Sequence, residues 1–136
     1  MIKTKLVCEQ TITGPARYYP LLRKYATRRT EHFIVTTLNA VNKPIHTYIA
    51  TQGLVNRTMV HPREVFWFAI KDMACGIIIA HNHPSGDLEP SFEDREITKR
   101  LEEAGEILGI PVLDHIILGK TGYYSLVEHG LIEPKL

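Results

Sequence analysis

The sequence predicts a single α/β domain in which helices flank a central, mixed β-sheet. Segments with the two-residue period of strands alternate along the chain with segments that carry the apolar spacing of helices. One short run, residues 77–80, is apolar at every position, which is typical of a central strand covered on both faces. With 136 residues, of which 44% are hydrophobic, the chain is long enough for one domain, 1–136, with a real core.

Proline residues and two-residue alternation define the elements of the first half. Pro15 suits the first turn of a helix, whereas Pro20 interrupts any regular helix through that segment. The two strands that follow are separated by a short turn, as in an antiparallel hairpin. The predicted elements are a short strand at Lys5 to Cys8, a segment that is helical in parts at residues 14–29, and hairpin strands at His32 to Leu38 and Pro44 to Ala50.

Helical periodicity and the positions of Gly and Pro define the second half. A helix opens near Pro62, and its broad apolar stripe is expected to include Met73 and Ala74. The longest predicted helix begins near Ser91 and ends before Gly109, a plausible C-cap. The remaining predicted elements are strands at Ile77 to Ala80, Val112 to Leu118 and Tyr123 to Leu126, and a last helical turn at Val127 to Leu131.

Composition and charge narrow the classes of function. No apolar run approaches the roughly 20 residues that span a bilayer, and the first residues lack the apolar region of a secretion signal. Cys8 and Cys75 are isolated, so we expect reduced thiols in a cytoplasmic protein rather than disulfides or a Cys-ligated zinc. The net charge of +1 lacks the basic excess of a dedicated nucleic-acid binder. One basic concentration is interpreted as a solvated helix face, with a weak nucleic-acid contact as the alternative: Arg17, Arg23, Lys24, Arg28 and Arg29.

Two histidines and an aspartate follow the predicted central strand. His81 and His83 are two residues apart, so on a strand they point to the same side. Asp94 lies one helical step before Ile97 and continues the inward face of its helix, where a carboxylate needs a partner or a metal. Two histidines and a carboxylate are the ligand set of a catalytic zinc with one open position. Alternatively, Ser91 and Asp94 form a helix-capping pair, which would compete with a metal for the carboxylate.

Three other motifs that bind metals or cleave nucleic acids do not fit the spacing. Zinc deaminases need a later Pro-Cys-x-x-Cys, which this chain lacks. Metalloproteases of the His-Glu-x-x-His type have their histidines one helical turn apart rather than two residues apart. The letters His-Asn-His also name a nuclease class, but there the three residues are spread over a ββα hairpin, so we treat this match as accidental.

The spacing of the cluster nevertheless resembles a known family. His81-x-His83-Pro84, six residues, Ser91, two residues and Asp94 is similar to the JAMM motif of MPN+/JAB metalloproteases. Four segments resemble the JAB domain of RadC-like proteins, bacterial proteins associated by name with DNA repair: Thr30-Glu31-His32-Phe33, residues 61–65, residues 81–86 and residues 113–117. The resemblance covers about residues 12–132. It does not include the helix-hairpin-helix region of full-length RadC, so that family's usual DNA-binding argument does not carry over.

The resemblance implies a JAB/MPN fold of cytidine-deaminase-like architecture and a zinc-dependent hydrolase that cleaves a peptide or isopeptide bond. It implies that zinc is held by His81, His83 and Asp94, that Glu31 is the general base for the zinc-bound water, and that Ser91 stabilises the oxyanion. From the residues alone, Glu31 is one of several candidates for the base, with Glu9 and Glu64, and only the resemblance selects it. The alternative function is a non-catalytic or DNA-associated accessory module.

Three further residues have open roles. Asn82 is expected to face away from the metal and to affect packing more than chemistry. Asp114 and His115 are expected to orient a zinc-ligating histidine or to line the substrate groove. Their alternative is a buried pair that only stabilises the fold. We expect a protein or peptide substrate, which an edge of the hairpin at residues 32–50 could hold by strand pairing.

Overall fold

The computed structural model describes residues 2–4 (backbone), 11–53 and 60–135. Within these residues, three α-helices and one 3₁₀ helix pack on a six-stranded mixed sheet, which confirms the predicted α/β class. The elements are β1 (Ile2–Thr4), α1 (Pro15–Leu22), a 3₁₀ helix (Arg23–Thr27), β2 (His32–Leu38), β3 (Pro44–Gln52), α2 (Pro62–Lys71), β4 (Gly76–Asn82), α3 (Phe92–Leu108), β5 (Val112–Leu118) and β6 (Tyr123–Ser125). None of the helices in this described part combines the length and apolar character needed to cross a membrane.

Most of the predicted elements of the first half are present. β2 has the predicted bounds, and β3 extends two residues beyond its predicted end. The first helix continues through Pro20 for two residues and then tightens into the 3₁₀ helix, so the segment is broken as predicted. The strand predicted at Lys5 to Cys8 lies outside the described residues.

Two predictions in the second half are wrong. α2 ends at Lys71, and Met73 has a left-handed backbone (φ 52°) and an 82% exposed side chain. Once the helix has ended, position 73 no longer continues its helical spacing, so Met73 leaves the apolar stripe. Residues 127–131 form turns rather than a helical turn, because Gly130 has a positive φ of 73° and its N–H donates to the carbonyl of Val127.

The central strand is β4, which is buried at every position. The strand order is β1-β3-β2-β4-β5-β6, and β4 pairs antiparallel with β2 and parallel with β5. One face of the sheet packs on α2 and α3 through Phe33, Ile77, Ile79, Ile97 and Leu101. The other face packs on α1 and the 3₁₀ helix through Tyr18, Leu22, Ile34, Ile78 and Ile116. The apolar run of the sequence is therefore the middle layer of a three-layer domain.

A bulge in β5 changes which side chains face α3. Ile77 is opposite Val112, but the next residue of β4, Ile78, is opposite Asp114, so Leu113 is an extra residue. Beyond the bulge the alternation of β5 is reversed relative to its start. His115 consequently lies opposite Ile79, on the face that carries α3.

The hairpin edge proposed for strand pairing is occupied in its middle. β3 lies between β1 and β2, and β1 pairs with Thr47, Tyr48 and Ile49. In the described part of the chain, this leaves the two ends of β3, residues 44–46 and 50–52, without an outer neighbour. Among the described residues, a peptide added at this edge of β3 could therefore pair only with those two short stretches.

One carboxylate joins the hairpin to the C-terminus of α2. Asp72 accepts hydrogen bonds at Oδ2 from the hydroxyls of Tyr48 (2.7 Å) and Thr37 (2.8 Å), and Nδ1 of His46 lies 3.1 Å away. Burial opposes ionisation, but these hydrogen bonds outweigh it and lower the pKa of Asp72 below its usual value of 3.8. The charged form is therefore the one that the fold stabilises.

We expect Asp72→Asn to reduce the free energy of unfolding by about 1–3 kcal/mol at pH 7, because a charged acceptor of several hydrogen bonds is lost. Since the folded-state pKa lies below 3.8, this contribution is complete well above that pH and is lost as the pH falls through the folded-state pKa. Urea unfolding followed by circular dichroism, from pH 7 downwards, measures both effects. Glu103→Gln, at an exposed position on α3, is the control; equal stabilities of Asp72→Asn and the wild type at pH 7 would refute the assignment.

Candidate metal centre

The two histidines meet at the carboxyl end of β4. His81 is the penultimate residue of the strand and has no exposed surface, whereas His83 begins the following loop. Their side chains lie on the same side, as the alternation predicts, and their Nε2 atoms are 2.8 Å apart. The site therefore has one buried histidine and one at the rim of a cleft.

Asp94 completes the cluster from the first turn of α3. Its Oδ1 lies 3.1 Å from Nε2 of His81, and its Oδ2 lies 3.0 Å from Nε2 of His83. The same Oδ2 accepts a hydrogen bond from the backbone N–H of Ser91 (2.8 Å), and Ser91 Oγ accepts one from the backbone N–H of Asp94 (3.1 Å). This capping box leaves both carboxylate oxygens directed at the histidines. The predicted capping pair is therefore present, and its geometry keeps both oxygens of Asp94 beside the histidines.

The loop after β4 determines which nitrogen of His83 carries a proton. Nδ1 of His83 lies 2.6 Å from the backbone carbonyl of Asp87, and a carbonyl only accepts hydrogen bonds. Nδ1 is therefore protonated, and in the neutral ring Nε2 presents its lone pair to Asp94.

A chain of hydrogen bonds from α3 determines which nitrogen of His81 carries a proton. The Thr98 hydroxyl donates to the carbonyl of Asp94 (2.7 Å), so its oxygen is free to accept from Nδ1 of His115. His115 Nε2 then accepts from Nδ1 of His81 at 2.7 Å. Burial is the main influence that lowers the pKa of His115 well below 6.5, which keeps its ring neutral, as this chain requires. Nε2 of His81 is left with its lone pair directed into the cluster.

Three potential ligand groups therefore converge on one point. His83 Nε2, His81 Nε2 and the Asp94 carboxylate lie within 4.8 Å of one another. Burial opposes ionisation of Asp94, but its contacts with His81 and then His83 outweigh burial and lower the pKa of Asp94. Burial likewise opposes charge on His83, but the contact with Asp94 outweighs it and raises the pKa of His83. A proton relieves only one of these contacts, whereas a metal ion relieves all three. Ligand bonds of ~2.0–2.1 Å at tetrahedral angles separate ligating atoms by ~3.3 Å, close to the spacing observed here, so this donor set fits zinc.

An open cleft of about 490 Å³ leads to the cluster. Its walls include Glu31, which immediately precedes β2, together with Ser91, the partly exposed His83 and the buried Asp94. The charge of Glu31 also contributes to the raised pKa of His83, which indicates that the two groups are near each other. Glu64, the other base candidate within the described residues, lines a different groove with Arg63 and Trp67, and Glu9 lies outside those residues.

Asp114 and His115 lie on opposite faces of the sheet. Asp114 accepts hydrogen bonds from the Ser125 hydroxyl (2.6 Å) and from the backbone N–H groups of His115 (2.7 Å) and Val127 (3.1 Å). It lines a small, mainly apolar cavity of about 140 Å³ beside Ile78 and Ile116, away from the metal ligands. Burial, the dominant influence despite these hydrogen bonds, raises the pKa of Asp114. Of the expected pair, the structure therefore brings only the His115 ring into contact with a candidate ligand.

Two residues near the site were missed or undervalued by sequence reasoning. Thr98 follows Asp94 by one helical turn on the buried stripe of α3, a spacing that could have indicated it. Asn82 does face away from the cluster, as predicted, but its amide is bonded to the backbone on both sides of Glu31. No sequence pattern identifies that contact, because it depends on how β2 and β4 are paired.

Comparison with known proteins places these observations in a family. A sequence model of the RadC-like JAB domain matches residues 12–131. The chain is similar to UPF0758 proteins from Rubrobacter xylanophilus (49% identity, 89% of this chain and 53% of the relative) and Trichlorobacter lovleyi (46%, 90% and 54%). Another, from Methanospirillum hungatei, is 54% identical over 75% of this chain and 45% of the relative. The chain thus spans about half the length of these curated relatives.

We expect the purified protein to bind one equivalent of zinc, and His83→Ala to weaken binding by more than about 100-fold, because losing a direct ligand costs more than the 10–100-fold typical of outer partners. Competition with a chromogenic chelator at pH 7 measures the affinity. His61→Ala is the matched control, since His61 lies outside the cluster at the N-cap of α2. Equal affinities for the wild type and His83→Ala would rule out this site.

Proposed function

The chain belongs to the RadC-like JAB domain family, and on this premise we propose that it is a zinc-dependent hydrolase of peptide or isopeptide bonds. The observation that carries the proposal is the convergence of three potential metal-ligand groups beside an open cleft. A structural zinc site is closed by a fourth protein ligand, whereas a hydrolytic site keeps that position for water. Among the described residues, the cluster offers three ligands.

Zinc bound by this set would lower the pKa of a water molecule toward neutrality and polarise the carbonyl of the scissile bond. The proposed role of Glu31 is to accept a proton from the attacking water and to return it to the leaving nitrogen as the C–N bond breaks. A carboxylate suits both steps, because the oxygen that accepts the proton from water can donate it to the leaving nitrogen. Its support is the shared cleft with His83 and Asp94.

Ser91 is proposed to stabilise the oxyanion. Its Oγ accepts the backbone N–H of Asp94, which leaves the hydroxyl proton available to donate. Ser91 is exposed and lines the cleft, so a substrate carbonyl can reach it. A hydrogen bond to the tetrahedral oxyanion that is weaker in the ground state accelerates the reaction.

His115 and Thr98 are proposed to position His81 from behind. Their hydrogen bonds fix the His81 ring in the tautomer whose Nε2 can bind a metal, which is the usual task of an outer partner. Asp114, by contrast, is proposed to have a structural role, since its oxygens anchor the turn after β6.

A substrate is proposed only as a class, an amide in an accessible chain segment. The chain spans about half the length of the curated relatives, and no substrate of those longer proteins is transferred to it. The alternative function, a DNA-associated accessory module, requires neither Glu31 nor a hydroxyl at Ser91. The two functions therefore differ in what zinc-loaded protein does to amide bonds.

We expect zinc-loaded wild-type protein to cleave members of a diverse peptide library, and Glu31→Gln to slow that cleavage by about 10²–10⁴-fold while keeping one zinc, because a general base contributes that range. Mass spectrometry of the products and metal analysis of the same samples measure both quantities. Glu64→Gln is the matched control, because that carboxylate lines a separate groove. Zinc bound without cleavage by the wild type would favour the accessory-module function.

We expect Thr98→Val to weaken zinc binding about tenfold, since the His115 Nδ1–H would lose its acceptor and the His81 tautomer would lose its support. Chelator competition again provides the measurement. Thr27→Val makes the same chemical change at an exposed hydroxyl of the 3₁₀ helix and should leave the affinity unchanged. An affinity of Thr98→Val equal to that of Thr27→Val would exclude this positioning role.

A further inference from the structure

Asn82 lies between the two candidate ligands in the sequence, but its side chain does not contact them. As the last residue of β4 it alternates with His81 and His83, so its side chain occupies the opposite face of the sheet. It is completely buried. A buried amide needs hydrogen-bond partners, and those partners show which part of the backbone the side chain fixes in place.

The partners of Asn82 flank Glu31 on both sides. Its Oδ1 accepts a hydrogen bond from the backbone N–H of His32 at 2.7 Å. Its Nδ2 donates to the backbone carbonyls of Thr30 at 3.0 Å and Arg28 at 3.3 Å. The side-chain amide of Asn82 therefore uses both its oxygen and its nitrogen to bind the backbone of one five-residue segment, residues 28–32. That segment carries Glu31, the proposed base.

We call these three hydrogen bonds of Asn82 the clamp; they lie just beyond the last residue pair of β2 with β4. The pairing of β2 with β4 runs from Leu38 opposite Gly76 to Phe33 opposite His81, and Asn82 is the next residue of β4. The amide of Asn82 therefore continues the connection beyond the last ladder pair, through a side chain instead of the backbone. On the other side, the N–H of Gly53 donates to the carbonyl of Glu31 at 2.9 Å. The backbone that carries Glu31 is held from both neighbouring strands.

We infer that Asn82 is a positioning residue for Glu31, tying the backbone around the base to the strand that carries the metal ligands. The inference rests on the proposed function, because it assumes that Glu31 is the general base. A base must lie within about 2.6–3.2 Å of the proton it takes, and a displacement of about 1 Å can cost 10²-fold in rate. Because His81 and Asn82 are adjacent residues of one strand, the clamp fixes the position of the Glu31 backbone relative to the proposed metal ligands.

The first test needs neither metal nor substrate. In Asn82→Ala we expect the backbone amide of His32 to exchange with solvent about tenfold faster or more, since it loses its buried acceptor, while amides within the β2–β4 ladder keep their protection. Amide exchange measured by NMR on the metal-free protein gives this result. Unchanged exchange at His32 overturns the inference, whatever the protein's activity proves to be.

The second test uses Co²⁺ in place of zinc. Its paramagnetic effect depends steeply on distance, so the side-chain resonances of Glu31 report how near that carboxylate is to the metal. We expect a clear effect in the wild type and a smaller one in Asn82→Ala, with both proteins binding one Co²⁺. An equal effect in the two proteins would show that Asn82 does not position Glu31. Absence of Co²⁺ binding by the wild type would instead refute the proposed metal site, leaving the exchange test to decide about the clamp.

The third test is kinetic. We expect Asn82→Ala to reduce kcat by about 10- to 100-fold with KM within about twofold, because the base is displaced while substrate contacts remain. In a Glu31→Gln background, the same change should alter the residual rate by less than about threefold. A loss of equal size in both backgrounds would mean that Asn82 acts by some route other than Glu31.

Matched variants separate positioning from general destabilisation. Asn39→Ala removes another asparagine whose Oδ1 holds two backbone N–H groups, those of Val41 and Lys43 at 3.0 Å each, but in the hairpin turn. It should leave kcat and the Glu31 resonances unchanged. If Asn82→Ala does not fold, Asn82→Asp keeps the acceptor for His32 and removes the donors to Thr30 and Arg28. Asn82→Asp is then expected to give a smaller Co²⁺ effect on Glu31, and a wild-type effect would overturn the inference.

Discussion

The close approach of two histidine nitrogens and one carboxylate at the end of β4 is the constraint on which the rest of the site depends. The outer nitrogens of His81 and His83 are bonded to His115 and to a backbone carbonyl, so their inner nitrogens both face the Asp94 carboxylate. This arrangement is unfavourable unless a cation lies among them. The surrounding elements, a fully buried strand, a capped helix and a short loop, hold the three groups together despite that cost.

The mixed pairing of β4 explains how distant segments contribute to one centre. Because β2 runs antiparallel to β4, its first residues lie beside the last residues of β4, and Glu31 enters the same cleft. Because β5 runs parallel to β4, it can place His115 directly behind His81. Neither contact would exist if the directions of the two neighbouring strands were exchanged. The polarity of the sheet is thus as important for the site as the identity of its residues.

Sequence periodicity predicted the parts of the site that depend on local structure. Alternation put His81 and His83 on one side of a strand, and helical spacing put Asp94 on the buried face of α3. It singled out Asp114 and His115 but did not predict that only His115 faces the cluster, because the extra residue at Leu113 reverses the alternation of β5. Nor could it find the Asn82 contacts, which cross between strands about 50 residues apart in the chain. The selection of Glu31 over Glu64 came from family resemblance, since only the packed fold separates the two grooves.

Asp94 both caps α3 and faces the two histidines, and this affects how related sequences are interpreted. If a relative lacked the proposed metal, His83 at the rim could be replaced, but a carboxylate at position 94 would still be needed to cap α3. A Ser-x-x-Asp segment can therefore persist as a helix cap without any metal. The reverse order, loss of the aspartate before the histidines, would weaken the helix start and the ligand set in one step. Among proteins with this fold, the presence of both histidines, rather than of the aspartate, therefore indicates that the proposed metal centre is retained.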